Sequence, residues 1–112
     1  MIVSNLFSAF ANPIRLRLLG LLLVQKEICV CDLCEVLGES QPKVSRHLAV
    51  LRNARLIDVR RDGKWKFYSV VQAPTHLHRT LLRCVRNCLS ELAELAEDRQ
   101  RLAAIEPRIR CA

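Results

Sequence analysis

Apolar residues keep three- and four-residue spacing over most of this chain and give way to a β-branched and aromatic cluster once, between residues 56 and 71. That contrast predicts a mainly helical domain carrying one β-hairpin. Residues 3 to 10 form a short amphipathic helix bearing Leu6, Phe7 and Phe10. Asn12 followed by Pro13 supplies a side-chain cap and a first-turn proline, so a second helix starts there and runs to about Val24. Leucines surround nearly its whole circumference, which marks it as the central core helix, with Arg15 and Arg17 toward water.

Asp32 to Gly38 predicts a short helix that Gly38 can terminate, and Ser40 caps the next, which extends to about Ala54. The result is helix, tight turn, helix. On the second of these helices Val44, Leu48 and Leu51 fall on one narrow arc and face the core, leaving Pro42, Lys43, Ser45, Arg46 and Ala49 outside. Leu56 to Arg61 and Lys64 to Val71 read as strands joined by Asp62 and Gly63, a favoured pair for a type I′ turn, and form a wing.

Beyond Pro74 the spacing predicts one long helix to about Ile105, with Leu81, Val85, Cys88, Leu92, Leu95 and Leu102 arranged as in a coiled-coil seam. A stripe of that length exceeds what a 112-residue domain can cover, so a homodimer is expected, with Leu81, Val85, Cys88, Leu92 and Leu95 at its interface. The expected fold is mainly α with a β-hairpin wing, a winged helix-turn-helix dimerising through terminal helices. Residues 1–106 make one DNA-binding and dimerisation domain, and residues 107–112, including Cys111, a flexible tail.

Charge sharpens this picture, because residues 40 to 66 hold eight basic and two acidic side chains and so supply six of the seven net positive charges. Concentration of that kind points to a polyanion, here double-stranded DNA. Gln41, Lys43, Ser45, Arg46 and His47 offer donors and acceptors suited to base edges and phosphates in a major groove, while Arg60, Arg61, Lys64 and Lys66 suit a ribbon gripping the backbone. A merely solvated polar face would leave the basic hairpin unexplained.

Six cysteines in so short a chain could form a disulfide scaffold, but MIVSNLFSAF lacks a signal-peptide pattern, so the thiols are expected to be reduced in a cytoplasm. The longest apolar run, Leu18 to Val24, falls well short of the roughly 20 residues a bilayer requires. No membrane partner is expected. Three cysteines crowd into CVCDLC at residues 29 to 34, and a cluster of soft sulfur ligands beside a nucleic-acid reader suggests that a metal or metalloid controls DNA binding. Cys31 to Cys34 also has the C-x-x-C spacing of a redox enzyme at a helix N-terminus, but a βαβ framework, a Gly-rich phosphate loop and an acid/base pair are all lacking, so no enzyme is expected.

Through FANPIRLRLLGLL, SQPKVSRHLAVLRNARLI and DGKWKFYSV, across roughly residues 5 to 90, the chain resembles the ArsR/SmtB winged-helix repressors of bacteria. Within that family CVCDLC resembles the trivalent arsenic and antimony site of the arsenical-resistance repressors. The resemblance therefore gives Cys29, Cys31 and Cys34 the ligand role, makes arsenite or antimonite the inducer, requires no resident cofactor, and implies release of operator DNA on binding. Chemistry agrees, since these metalloids form three-coordinate pyramidal centres with thiolates, whereas zinc normally wants a fourth ligand, which the partner subunit or Cys111 could supply.

On a continuous helix Cys31 and Cys34 would lie about 60° apart but Cys29 about 160° from Cys31, so the three sulfurs could not converge. Either Cys29 is extended with Cys31 near the N-cap, or binding unwinds the first turn. Cys31 and Cys34 are expected to transmit most, with Cys29 contributing less. A repressor of the same fold sensing thiol redox state, or zinc, cadmium or lead, is the alternative. Zinc-sensing relatives place ligand pairs on the long helix, where His76 and His78 resemble the first pair but Leu89 and Leu92 stand near the second. Cys84 and Cys88 are read as interface packing rather than a second thiol site.

Overall fold

In the computed structural model, which describes residues 3–105, Asn12 opens the core helix as expected. Its Oδ1 accepts from the backbone N–H of Ile14 at 2.9 Å and of Arg15 at 3.2 Å. The first helices are α1 (Val3–Phe10) and α2 (Pro13–Val24), and the second buries Leu18, Leu19, Leu21 and Leu22 at the centre of the molecule. Neither Arg15 nor Arg17 simply faces water. Arg15 donates to the α1 carbonyls of Ser8 and Ala9, and Arg17 holds buried Asp98 through two hydrogen bonds of 2.8 and 2.9 Å.

The pair α3 (Val30–Leu37) and α4 (Gln41–Asn53) forms the helix-turn-helix, with Gly38 closing α3 at φ +67° and Ser40 Oγ capping α4 through the Lys43 N–H. Helix α3 begins two residues before the expected Asp32. Val44, Leu48 and Leu51 are fully buried, as their spacing requires.

A strand that the apolar pattern does not predict precedes α3: Ile28 and Cys29 form β1. It pairs antiparallel with β3 (Trp65–Val70), which also pairs with β2 (Ile57–Asp62), giving the order β1-β3-β2. The wing turn is displaced by one residue from expectation. Asp62 pairs with Trp65, so Gly63 and Lys64 make the turn, and Gly63 at φ +61° takes the first central position as a II′ turn requires.

The predicted long C-terminal helix is instead α5 (His76–Asn87), a 3₁₀ turn (Leu89–Glu91) and α6 (Ala93–Ala104). Asn87 and Ser90 are weak helix formers, and α6 folds back on α2. Gly20 provides the notch, since a Cβ there would lie 2.7 Å from the Leu95 side chain and 3.3 Å from that of Leu89. Asp98 then meets Arg17 and also Arg101. Of the five residues assigned to a dimer seam, Val85 and Leu95 are therefore buried within the protomer, in a cluster with Phe10, Leu16 and Leu23. Leu81 and Cys88 are half-buried, while Leu92 at the break is 41% exposed. The expected tail, with Cys111, lies outside the described residues.

Candidate nucleic-acid interface and thiol site

On the outer face of α4, Gln41, Pro42, Arg46 and Ala49 are exposed and Lys43, Ser45 and His47 half-buried. Lys43 Nζ pairs with Glu39 at 3.1 Å, one turn back, while Arg46 has no ion pair among the described residues. Arg15 donates from Nη1 to His47 Nδ1 at 3.2 Å, so that ring nitrogen accepts. Burial, then the charges of Arg15, Lys43 and Arg46, hold His47 below the usual histidine range.

The wing presents Arg61 and Lys64 to solvent, with Lys66 half-buried and Lys64 Nζ 5.4 Å from the Trp65 ring centroid. Arg60 differs from these three. Its guanidinium grips Glu27 at two points and lies 4.6 Å from the Phe67 ring centroid. That guanidinium holds the Glu27 carboxyl below the ordinary range.

The three thiols of CVCDLC fall on a junction between sheet and helix. Cys29 ends β1, serves as the α3 N-cap in extended conformation (φ −67°, ψ 142°) and is buried beside Phe67. Cys31 lies in the first turn of α3 and Cys34 one turn on, both half-buried. Cys29 is thus extended with Cys31 near the N-cap, the first of the two expected arrangements, and Cys29 in addition belongs to the sheet. Among the described residues no three histidine, cysteine, aspartate or glutamate side chains converge at metal-binding distance. Burial, then the neighbouring Cys31 and Cys29, push the Cys34 thiol above its ordinary pKa. The described cysteines, 29, 31, 34, 84 and 88, are all outside disulfides.

His78, which resembled half of a zinc-ligand pair, is fully buried and otherwise committed. Its Nε2 donates to the Ala54 carbonyl at 2.9 Å, so Nδ1 accepts from the Thr75 hydroxyl at 2.7 Å. This bond joins α5 to the end of α4. The side chains at these sites not anticipated were Glu27, Phe67 and Arg15, whose contacts are with partners 32 to 38 residues away.

A helix-turn-helix followed by a β-hairpin wing defines the winged helix-turn-helix class. The sequence profile of the "Bacterial regulatory protein, arsR family" matches residues 12–59. Over 64 residues the chain is 51% identical to the arsenical resistance operon repressor of Escherichia coli K12, covering 57% of this chain and 55% of that protein. Over 78 residues it is 37% identical to the arsenic resistance transcriptional regulator ArsR2 of Pseudomonas putida KT2440, covering 69% of this chain and 68% of that one. The structure is similar, at TM-score 0.64 and 26% identity over 80% of this chain and 79% of the other, to a homodimeric winged helix-turn-helix DNA-binding domain from Mycobacterium bovis. The chain belongs to the ArsR family, which is one of DNA-binding transcriptional regulators rather than enzymes. Its match spans little more than half the length of the E. coli relative.

Proposed function

We propose that this chain is a homodimeric repressor that holds operator DNA when its thiols are empty and releases it when arsenite or antimonite joins Cys29, Cys31 and Cys34. Helix α4 would enter the major groove with Gln41, Lys43, Ser45, Arg46 and His47, and Arg61, Lys64 and Lys66 of the wing would grip the backbone. The observation that carries the reading is the placement of three thiols at the β1–α3 junction, directly before the reader helix. Both named relatives are arsenic-resistance regulators, which supports the choice of ligand.

The chemistry of the site favours a trivalent metalloid over a divalent cation. Arsenous acid and three neutral thiols give a neutral tris-thiolate and three waters, with three As–S bonds formed as three As–O bonds break and each thiol proton leaves in a water. Such exchange keeps the thiol protons in the waters released, whereas zinc would take the thiols as thiolates and release their protons. Because the sulfurs are not gathered beforehand, capture must shift Cys29 or the first turn of α3, and α3 packs on α4. No single helix among the described residues is long and apolar enough to cross a membrane, in keeping with a DNA-binding protein of the cytoplasm.

The test is titration of sodium arsenite onto the reduced protein bound to a labelled duplex that it has selected in vitro. Release with one arsenic and three fewer reactive thiols per chain is expected. Retention of the duplex at saturating arsenite would overturn the proposal.

A further inference from the structure

Cys29, Phe67 and Arg60 occupy one cross-strand row of the sheet, Cys29 pairing with Phe67 on β3 and Phe67 with Arg60 on β2. Directly paired residues share a face and touch. Cys29 and the Phe67 ring form a small buried cluster flanked by Cys31 and Trp65, and the Arg60 guanidinium lies 4.6 Å from the centroid of the same ring. From there Arg60 returns to the residue just ahead of β1, donating from Nε to Glu27 Oε2 at 2.9 Å and from Nη2 to Glu27 Oε1 at 2.8 Å. Glu27 stands two residues before Cys29. The circuit is closed: thiol, ring, guanidinium, carboxylate and back along the chain to the thiol.

Two of the three candidate ligand thiols, Cys29 and Cys31, therefore pack against the first half of β3, the inner strand of the wing. For Cys29 to join Cys31 and Cys34 around one atom, its sulfur must leave Phe67 or carry the ring with it, and the backbone at Glu27, just ahead of β1, must follow. A two-residue strand has few backbone bonds with which to resist such a shift.

We propose that Phe67 and the Glu27–Arg60 pair transmit occupancy of the thiol site to the wing, with Arg60 a positioning residue of the wing rather than a grip on the DNA backbone. This rests on the metalloid-release reading above and adds a second route to it, beside the one from α3 to α4. It also raises Cys29 from an auxiliary ligand to the one in contact with the wing. An exposed ion pair contributes little to stability, so its removal should leave the fold intact and fall on the coupling instead.

The quantity to measure is the coupling factor, the ratio of duplex dissociation constants with and without saturating sodium arsenite, by fluorescence anisotropy on the reduced full chain. Arsenite uptake without DNA is followed in parallel by the loss of reactive thiols. Glu27→Gln should bind the duplex at least as tightly as wild type and still lose three thiols to arsenite, while its coupling factor falls about fivefold, the scale of one good ion pair. Arg60→Gln should lower the factor to the same extent, and combining the two should lower it no further, because both break one link. Phe67→Leu, checked by circular dichroism for an unchanged fold, should lower it as well.

A wild-type coupling factor in Glu27→Gln, or additive losses in the double variant, would overturn the link while leaving metalloid release standing. Absence of arsenite release in the wild type would instead overturn the release reading, and the link with it.

Discussion

Arg15 determines how His47 can be used. Arg15 Nη1 donates to Nδ1 on the reader helix, and burial, then the charges of Arg15, Lys43 and Arg46, depress the ring's pKa against a weaker opposing pull from Glu39. In the unfolded chain His47 returns to about 6.5 and takes up a proton that the folded protein refuses. Stability associated with His47 is thus fully present above about pH 6.5 and is lost as pH falls toward the folded value. Thermal melts should show a falling midpoint between about pH 7 and pH 5.5, with a shallower fall in His47→Gln. Equal slopes in the two proteins would exclude His47 as the source. Arg46 and Lys64 separate base reading from backbone grip: Arg46→Ala should weaken binding and relax sequence preference, costing about 1–3 kcal/mol on the preferred duplex. Lys64→Ala should weaken binding to all duplexes alike and reduce the salt slope by about 1. Binding curves at several salt concentrations check both, and undiminished discrimination by Arg46→Ala would count against placing α4 in the groove.

The junction between reader helix and wing carries strain that one substitution should relieve. Arg55 follows α4 at φ +62°, a left-handed conformation that costs an L-residue about 1–2 kcal/mol, while the Leu56 N–H closes onto the Leu51 carbonyl at 3.1 Å. Since Arg55 is exposed, Arg55→Gly loses no packing and should stabilise the protein by about 1 kcal/mol, raising the melting midpoint by roughly 4–8 °C. An unchanged or lower midpoint would show that the residue is not strained. Elements whose signals act within a few residues were legible in the sequence: Asn12 and Ser40 as caps, Gly38 as a stop, and the buried arc of Val44, Leu48 and Leu51. Strand β1 was not, because two residues show no period and the strand exists only where β3 offers an edge. The wing turn slipped by one residue because either placement gives Gly63 its positive φ, and the choice is made by cross-strand register. The break after Asn87 was hidden for a similar reason, since apolar spacing runs on through it while the notch at Gly20 and the Arg17–Asp98 bridge lie far back in the chain. For the thiol site, the clustering of three sulfurs was legible, but the Glu27, Phe67 and Arg60 circuit around Cys29 follows from sheet register and the contacts it permits.

At the scale of the whole molecule, the folded-back α6 changes what a dimer must cover. Val3 and Phe7 of α1 and Leu92 at the break remain exposed, and Leu92 also lines an open groove of about 450 Å³ with Phe10, Pro13, Leu16 and Leu95. Leu92→Asp places a charge in water in the protomer but an unpaired charge in a symmetric interface. A folded monomer with little affinity for the duplex is expected by sedimentation velocity and anisotropy, and a stable dimer would remove Leu92 from the interface. On the proposed mechanism the thiols that answer to the metalloid are those of the β1–α3 junction, while Cys84 on α5 and Cys88 at its C-terminal cap take no part. The most direct measurement compares operator release across one arsenite titration for the wild type, for the triple variant Cys29→Ser, Cys31→Ser, Cys34→Ser, and for the double variant Cys84→Ser, Cys88→Ser. The double variant should release the duplex along the wild-type curve while the triple variant holds it throughout. Release by the triple variant, or retention by the double, would contradict the account.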